Sequence, residues 1–307
     1  MTERGAVRLP SYPFDWMIIG YCVLMTLLVL IFGRPIVNYA EPLVFYIITG
    51  ALAFTIMRCV DEKRSRIFEF IRYMYPAILF TFFYSQTGNV IFLLFDHFYD
   101  YQLVAFEHAV FGVNPTLYID QHLLNVWLTE IFHCTYFMYY PMIPAFIIPL
   151  FFLRQRRVLA EFMTAASLTY FLSYLLFSLW PIEGPRWHFA DLYLHTVDGP
   201  VFRQMVNYVI ANGAVHGGAM PSSHTGIALV IMMFCFRYYR KFGWILLPIV
   251  IGLSIGTFWG RFHYVSDVIV GASIALVSTW LVWWRYNAWT SDQTSTITET
   301  RRTEHVA

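Results

Sequence analysis

Charge is scarce in this chain. Asp, Glu, Lys and Arg make up 13% of its 307 residues, about half the quarter usual in a soluble domain. Lysine occurs only at Lys63 and Lys241. The shortage excludes an ordinary water-facing globular surface, and the absence of any basic cluster interleaved with aromatics speaks against a nucleic-acid partner. A formal net charge of +1 selects no partner class. The four cysteines, Cys22, Cys59, Cys134 and Cys235, lack Cys-x-x-Cys spacing and sit in or at the ends of apolar runs. They read as packing residues rather than redox groups. No two of the ten histidines have the His-x3-His spacing of a helical zinc site, so neither a metal nor another cofactor is expected.

What the chain has instead is apolar length: 58% of its residues are hydrophobic and 20% aromatic. Runs able to cross a bilayer lie at about 16–32, 43–60, 73–95, 131–153, 162–181, 221–236, 242–259 and 267–284. The expected fold is all-α, a polytopic membrane bundle of about eight transmembrane helices. Arg4 and Arg8 before the first run resemble a signal peptide, but the run ends at Gly33-Arg34-Pro35 without a small-x-small cleavage site, so an uncleaved span is expected. We see no internal repeat.

Eight spans put both termini on one side, and the basic residues test that arrangement. With the termini lie Arg4, Arg8, Arg58, Lys63, Arg64, Arg66, Arg72, Arg154, Arg156, Arg157, Arg237, Arg240, Lys241, Arg285, Arg301 and Arg302; opposite lie Arg34, Arg186, Arg203 and Arg261. Sixteen against four predicts cytoplasmic termini by the positive-inside rule.

Two long connections occupy the opposite side. Segment 96–130 lacks Lys and Arg and mixes Asp96, Asp100, Glu107, Asp120 and Glu130 with apolar residues. It predicts one or two amphipathic interfacial helices broken at Gly112-Val113-Asn114-Pro115. Segment 182–220 is rich in Gly, Trp, His and Tyr. The Thr-rich, charged stretch 290–307 is expected to be disordered.

The chemistry concentrates at span ends. Met220-Pro221-Ser222-Ser223-His224-Thr225-Gly226 opens an apolar helix, where free N–H groups and the helix dipole favour an anion such as phosphate. The bland alternative is a capped helix with an interfacial histidine. Thirty-nine residues after His224, His263-Tyr264-Val265-Ser266-Asp267 leads into the last run. That separation is one crossing and one return, so both histidines emerge on the same side. Asp267 can orient His263 if the turn is helical; a simple Arg261–Asp267 interfacial pair is the alternative. Arg186, in Gly184-Pro185-Arg186, closes the fifth span there and offers a bidentate fork for phosphate oxygens, or a headgroup anchor. Gln86 and Asn89 read either as cavity lining or as helix–helix hydrogen bonds. Tyr136, Tyr139 and Tyr140 read as aromatic belt and packing rather than ligands.

The order Gly-Pro-Arg, Pro-Ser-Ser-His-Thr, His-x3-Asp resembles the type 2 phosphatidic acid phosphatase superfamily, over roughly 95–285. Phe111-Gly112-Val113-Asn114-Pro115 and Tyr136…Tyr139-Tyr140-Pro141 resemble its inositol phosphorylceramide synthase-like branch. The resemblance implies a six-helix core within a catalytic domain at 73–289, preceded by a helix pair at 1–72. It implies that His263 attacks phosphorus to form a phosphohistidine, that Asp267 orients it, and that His224 protonates the leaving group. Ser222, Ser223 and nearby amides would hold phosphate oxygens without a metal. Two departures stand out. The superfamily's Lys-x6-Arg-Pro motif is absent, and the arginine and serine of its Ser-Arg-x5-His-x3-Asp motif fall at Thr257 and Gly256. Arg186 and Arg261 are therefore expected to clamp the phosphate instead.

The resulting expectation is an enzyme acting on a lipid phosphate from the extracytoplasmic side of a membrane. Branch resemblance tilts it toward transfer of a phosphate-linked headgroup to a lipid or polyol hydroxyl. The alternative is a phosphatase of phosphatidic acid or of a polyprenyl or sphingoid phosphate. A transporter is a remote third, because its charges would lie in mid-span rather than at span ends.

Overall fold

In hydrocarbon a backbone has no water to bond, and a helix satisfies every N–H and C=O within one segment. The computed structural model describes residues 9–33 and 38–304, with side chains as far as Thr290. Among the described residues there is no strand, only an isolated bridge between Ile182 and Gly218. The chain begins with α1 (Pro13–Phe32), α2 (Ala40–Cys59) and α3 (Arg66–Val90), then the short α4 (Asp100–Phe111) and α5 (Pro115–His122). There follow α6 (Val126–Phe137), α7 (Tyr139–Phe152), α8 (Arg156–Leu179), the single turn α9 (Pro185–His188) and α10 (Phe202–Gly213). The last three are α11 (Ser223–Tyr238), α12 (Arg240–Trp259) and α13 (Val265–Glu304).

By length and composition, α1, α2, α6 with α7, α8, α12 and the Val265–Thr290 part of α13 are long and apolar enough to cross a membrane. The protein is an all-α polytopic membrane bundle. The other two expected crossings fall short for separate reasons. α3 has 25 residues but ends at Val90, short of the expected run, with polar Gln86 and Asn89 near that end and Arg66, Glu69 and Arg72 at its start, whereas α11 has only 16, about 24 Å of helix. The last helix is continuous to Glu304, through most of the stretch expected to be disordered, since an existing helix extends at one hydrogen bond per residue. Residues 305–307 lie outside the described ones.

α8 is the axis of the bundle. Of its most apolar stretch 72% is buried, against 28–39% for the other candidate spans, and it packs on α1, α3, α7, α11 and α13. Outer helices turn large apolar side chains outward, among them Leu27, Ile47, Ile251, Trp280 and Trp284. Water would penalise such a surface, and lipid solvates it. At the arginine-rich end, buried Asp15 of α1 accepts from Arg72 Nη1 at 2.7 Å and Tyr75 Oη at 2.5 Å. Arg72, counted above as a flanking basic residue, is thus an internal pin between α1 and α3.

At the other end α11 and α13 meet almost backbone to backbone. A Cβ at Gly271 would lie 2.3 Å from the Ser222 carbonyl oxygen, so no side chain fits. This closeness lets Ser222 N donate to the Asp267 carbonyl at 2.9 Å. The two histidine motifs are joined there by main chain.

Candidate active site

Ser222 caps α11, its hydroxyl 3.5 Å from Thr225 N, and Pro221 precedes the cap rather than sitting inside the first turn. His224 stands in that first turn with its ring between Tyr136 and Tyr139, centroids 5.3 and 4.4 Å away. Its Nε2 is 3.4 Å from Tyr136 Oη, and its buried Nδ1 has no partner among the described residues.

His263 lies just ahead of α13 and is buried. Its Nδ1 is 2.6 Å from the Ala219 carbonyl oxygen and 3.5 Å from Asp267 Oδ2. A carbonyl only accepts, so Nδ1 carries the hydrogen, and in the neutral ring Nε2 then keeps its lone pair. Asp267 Oδ2 also accepts from Tyr264 N at 2.7 Å, as an acid at the third helical position reaches back to the cap. The pairing foreseen on one helical face is therefore made by a helix cap, with His263 outside the helix. The two histidine ring centroids are 6.0 Å apart, with the ring planes inclined at 59°.

Arg186 arrives by way of Gly184, whose φ is +98° and whose Cβ would meet Ala219 Cβ at 3.1 Å and Phe262 O at 3.3 Å. Only glycine suits that position. The following turn presents the exposed Arg186 to a polar cavity of about 80 Å³, shared with Glu183, Ser223, His224 and His263. Ser222 and Arg261 are not among the residues lining it.

Arg261 is a correction to the sequence reading. Its Nη2 donates to Asp120 Oδ1 at 2.5 Å and to the His195 carbonyl at 2.7 Å, and its guanidinium lies 3.6 Å from the Tyr193 ring centroid. It braces the 193–195 stretch instead of facing the cavity. Arg203 is different. Its Nη1 is 2.9 Å from His133 Nε2, and burial, with Arg186 and Arg261 nearby, lowers its pKa to about 10. Asn89 bonds Glu41 of α2 at 3.0 Å and Gln86 at 2.7 Å, a helix–helix contact rather than cavity lining.

Segment 96–130 does form two short helices broken at 112–114, as expected, followed by the start of α6, but Asp100, Glu107, Asp120 and Glu130 turn inward, and Asp96 alone stays exposed. Asp100 accepts from Glu183 N at 2.8 Å, Gly184 N at 3.0 Å and Tyr264 Oη at 2.9 Å, tying the Arg186 turn to the His263 turn. Glu107 accepts from Ser266 N and Oγ at 2.7 and 2.9 Å, and burial raises its pKa. Glu130 accepts from the amides of Val201, Phe202 and Arg203, at 3.2, 2.8 and 3.0 Å, at the start of α10. Unpaired amides in such a place would be costly. The loops that carry the site are hung from these carboxylates. Among the described residues no three His, Cys, Asp or Glu side chains converge as a metal site.

A family model described as the PAP2 superfamily matches residues 101–281. The chain belongs to the PAP2 superfamily. The PAP2 region begins in α4 and ends in α13, so it contains every residue of the cavity except Tyr84 and leaves α1 to α3 outside. The chain is also similar to the bacitracin transport permease protein BcrC of Bacillus licheniformis, 32% identical over 66 residues, or 22% of this chain. It spans about a third of that relative's length, 32%. No solved structure matches.

Sequence reasoning missed the roles of Tyr136, Tyr139 and Asp100. The tyrosine stretch was visible as a motif, but only tertiary packing shows it flanking His224. Asp100 had no signal beyond a charge in an apolar segment.

Proposed function

We propose that this PAP2 protein is a membrane lipid phosphatase in which His263 Nε2 attacks phosphorus, Asp267 and the Ala219 carbonyl hold its ring, and His224 protonates the departing oxygen. The observation that carries the reading is the His263 contact with Ala219 O, which puts the hydrogen of the neutral ring on Nδ1 and leaves Nε2 free, with the ring of a second histidine 6.0 Å away between centroids. Arg186, the Ser223 amide and the start of α11 would neutralise the phosphate. The catalytic unit is then 73–289, with the first two helices buttressing it.

The cavity beside the histidines, about 80 Å³, has room for water as the acceptor. Headgroup transfer of the inositol phosphorylceramide synthase kind is the second reading, favoured by the motif resemblance at 111–115 and 136–141. An assay in mixed micelles with labelled phosphatidic acid, with and without ceramide or diacylglycerol, separates them. Free phosphate as the main product under every condition supports the phosphatase. A new phospholipid formed at the expense of free phosphate overturns it in favour of transfer.

The basic asymmetry supports cytoplasmic termini and an extracytoplasmic site. In a chain with Cys59→Ser, a membrane-impermeant thiol reagent should label Ala214→Cys in intact cells and leave Gln155→Cys unlabelled. The reverse pattern puts the chemistry in the cytoplasm.

A further inference from the structure

Four charged or histidine side chains line the small polar cavity, and the chemistry above uses three of them. The fourth is Glu183, which shares the cavity with Arg186, His224 and His263. A carboxylate is out of place there, because it repels the phosphate that the arginine attracts. With only a structural duty it would pair with the guanidinium three residues along. Glu183 instead meets His216, Oε1 to Nε2 at 2.8 Å, and leaves Arg186 to the cavity.

The fold holds Glu183 from both sides. Its N–H donates to Asp100 Oδ2 at 2.8 Å, and the same carboxylate accepts from the hydroxyl of Tyr264, the residue after His263, at 2.9 Å. The carbonyl of its neighbour Ile182 accepts from Ala219 N at 3.2 Å, and the Ala219 carbonyl is the one against His263 Nδ1. Two short paths therefore fix Glu183 relative to the nucleophile. His216 is held as well, its ring against Trp187 and Phe98 with centroids at 5.1 and 5.4 Å. After it comes Gly217, with φ +92° and a Cβ position 2.8 Å from side-chain atoms of Ile91 and Phe98, so only glycine suits the turn. The Glu183 side chain is 24% exposed, which leaves a proton a way out to water.

We infer that Glu183 is the base that takes a proton from the water clearing the phosphohistidine, with His216 as its positioning residue. This rests on the phosphatase reading. In the first step the departing oxygen gains a proton from His224; the second step runs the other way and needs an acceptor. As the water oxygen bonds to phosphorus, the P–Nε2 bond breaks and its electron pair returns to His263. The water proton passes to a Glu183 carboxylate oxygen and phosphate leaves. Glu183 then gives its proton to solvent, and His224 regains one from it. The negative charge that disfavours phosphate is what lets the carboxylate accept that proton.

The test uses the full chain in detergent micelles with phosphate-labelled phosphatidic acid, quenched in alkali, where phosphohistidine survives. If only the clearing step slows, kcat and KM fall together and kcat/KM stays, because kcat/KM reports the steps up to the phosphoenzyme. Glu183→Gln keeps the size and the contact with His216 and loses the base. Its kcat should fall on the order of 10²–10⁴-fold, with KM falling in step and the labelled phosphoenzyme rising toward full occupancy. His216→Ala should raise the labelled fraction less. His216→Gln keeps a donor for the carboxylate and should return it to the wild-type level. These two variants decide if Glu183→Gln does not fold. A fall of kcat/KM without added phosphoenzyme makes Glu183 a substrate or structural contact and overturns the inference. Wild-type constants in Glu183→Gln leave both steps to His224 and overturn it too. Failure of the phosphatase reading looks different: no phosphohistidine forms in the wild type or in any variant, and the inference falls with it.

Discussion

The two ends of this bundle carry the same kinds of charged residue and use them oppositely. At the end where α3 and α8 begin, arginines meet carboxylates. Arg72 pairs with Asp15, Arg66 and Arg156 share Glu69 at 2.8 and 2.6 Å, and Arg157 meets Glu161 at 2.9 Å. At the histidine end, Asp100, Glu107 and Glu130 hold backbone amides, and Asp120 holds both amides and Arg261. Arg186 and Arg203 are left without a carboxylate ion pair among the described residues. At the first end four buried or half-buried carboxylate contacts neutralise these four arginines. At the other, Arg186 keeps its positive charge facing a cavity with two histidines, which is where a phosphate dianion gains most.

The sharpest way to break this contrast is to remove the nucleophile. His263→Ala should bring turnover to background and abolish any phosphoenzyme trapped with labelled substrate. His224→Ala should cost about 10²–10⁴-fold and recover in part with substrates bearing better leaving groups. Equal recovery of both variants would show that the two roles are wrongly assigned.

At the opposite end the effect should fall on stability instead. Asp15→Asn leaves buried Arg72 without its counter-charge and should cost about 3–5 kcal/mol, read as thermal unfolding in detergent. Turnover per folded molecule should stay at the wild-type value. A selective loss of turnover would mean that the two ends are coupled.

Arg186→Lys keeps the charge and loses the fork. It should lower kcat/KM about ten- to a hundredfold, the range of one or two charge-assisted hydrogen bonds. An unchanged value would show that the Arg186 fork does not hold the phosphate.

The smallest effect is expected at Glu107, whose pKa burial raises. A raised folded-state pKa means that the folded form favours the proton. Its contribution to stability is complete below the unfolded carboxylate value near 4.3 and is lost as pH rises through the folded value. Glu107→Gln keeps an acceptor for Ser266 and removes the charge. Its melting temperature relative to wild type should rise slightly as pH increases above the unfolded carboxylate value; a fall would show that the charged form is the one the fold needs.

Much of the fold was legible because lipid makes strict demands. A segment that crosses must be long, apolar and helical, so the crossings could be placed from composition alone, and α3 and α11 deviate only where charge or brevity blurs the signal. The histidine pair was legible too, since one crossing and its return bring residues 39 apart to the same face. His224, His263, Asp267, Arg186 and Ser223 do converge.

What the linear chain could not express is direction within a loop. Arg186 and Arg261 look alike in sequence, one after Gly-Pro and one after Gly. Only the positions of Asp120 and Tyr193 send Arg261 into a brace and leave Arg186 facing the cavity. Asp100, Glu107, Asp120 and Glu130 likewise read as part of amphipathic interfacial helices until the loops that they hold come within hydrogen-bond reach. The tautomer of His263 depends on a carbonyl 44 residues away. Sequence by itself determined which segments cross and which motifs share a side, because hydrophobic length and span parity are properties of the chain. Tertiary structure decided which charges are neutralised and which stay free, because a hydrogen bond acts over about 3 Å and sequence distance says nothing about that.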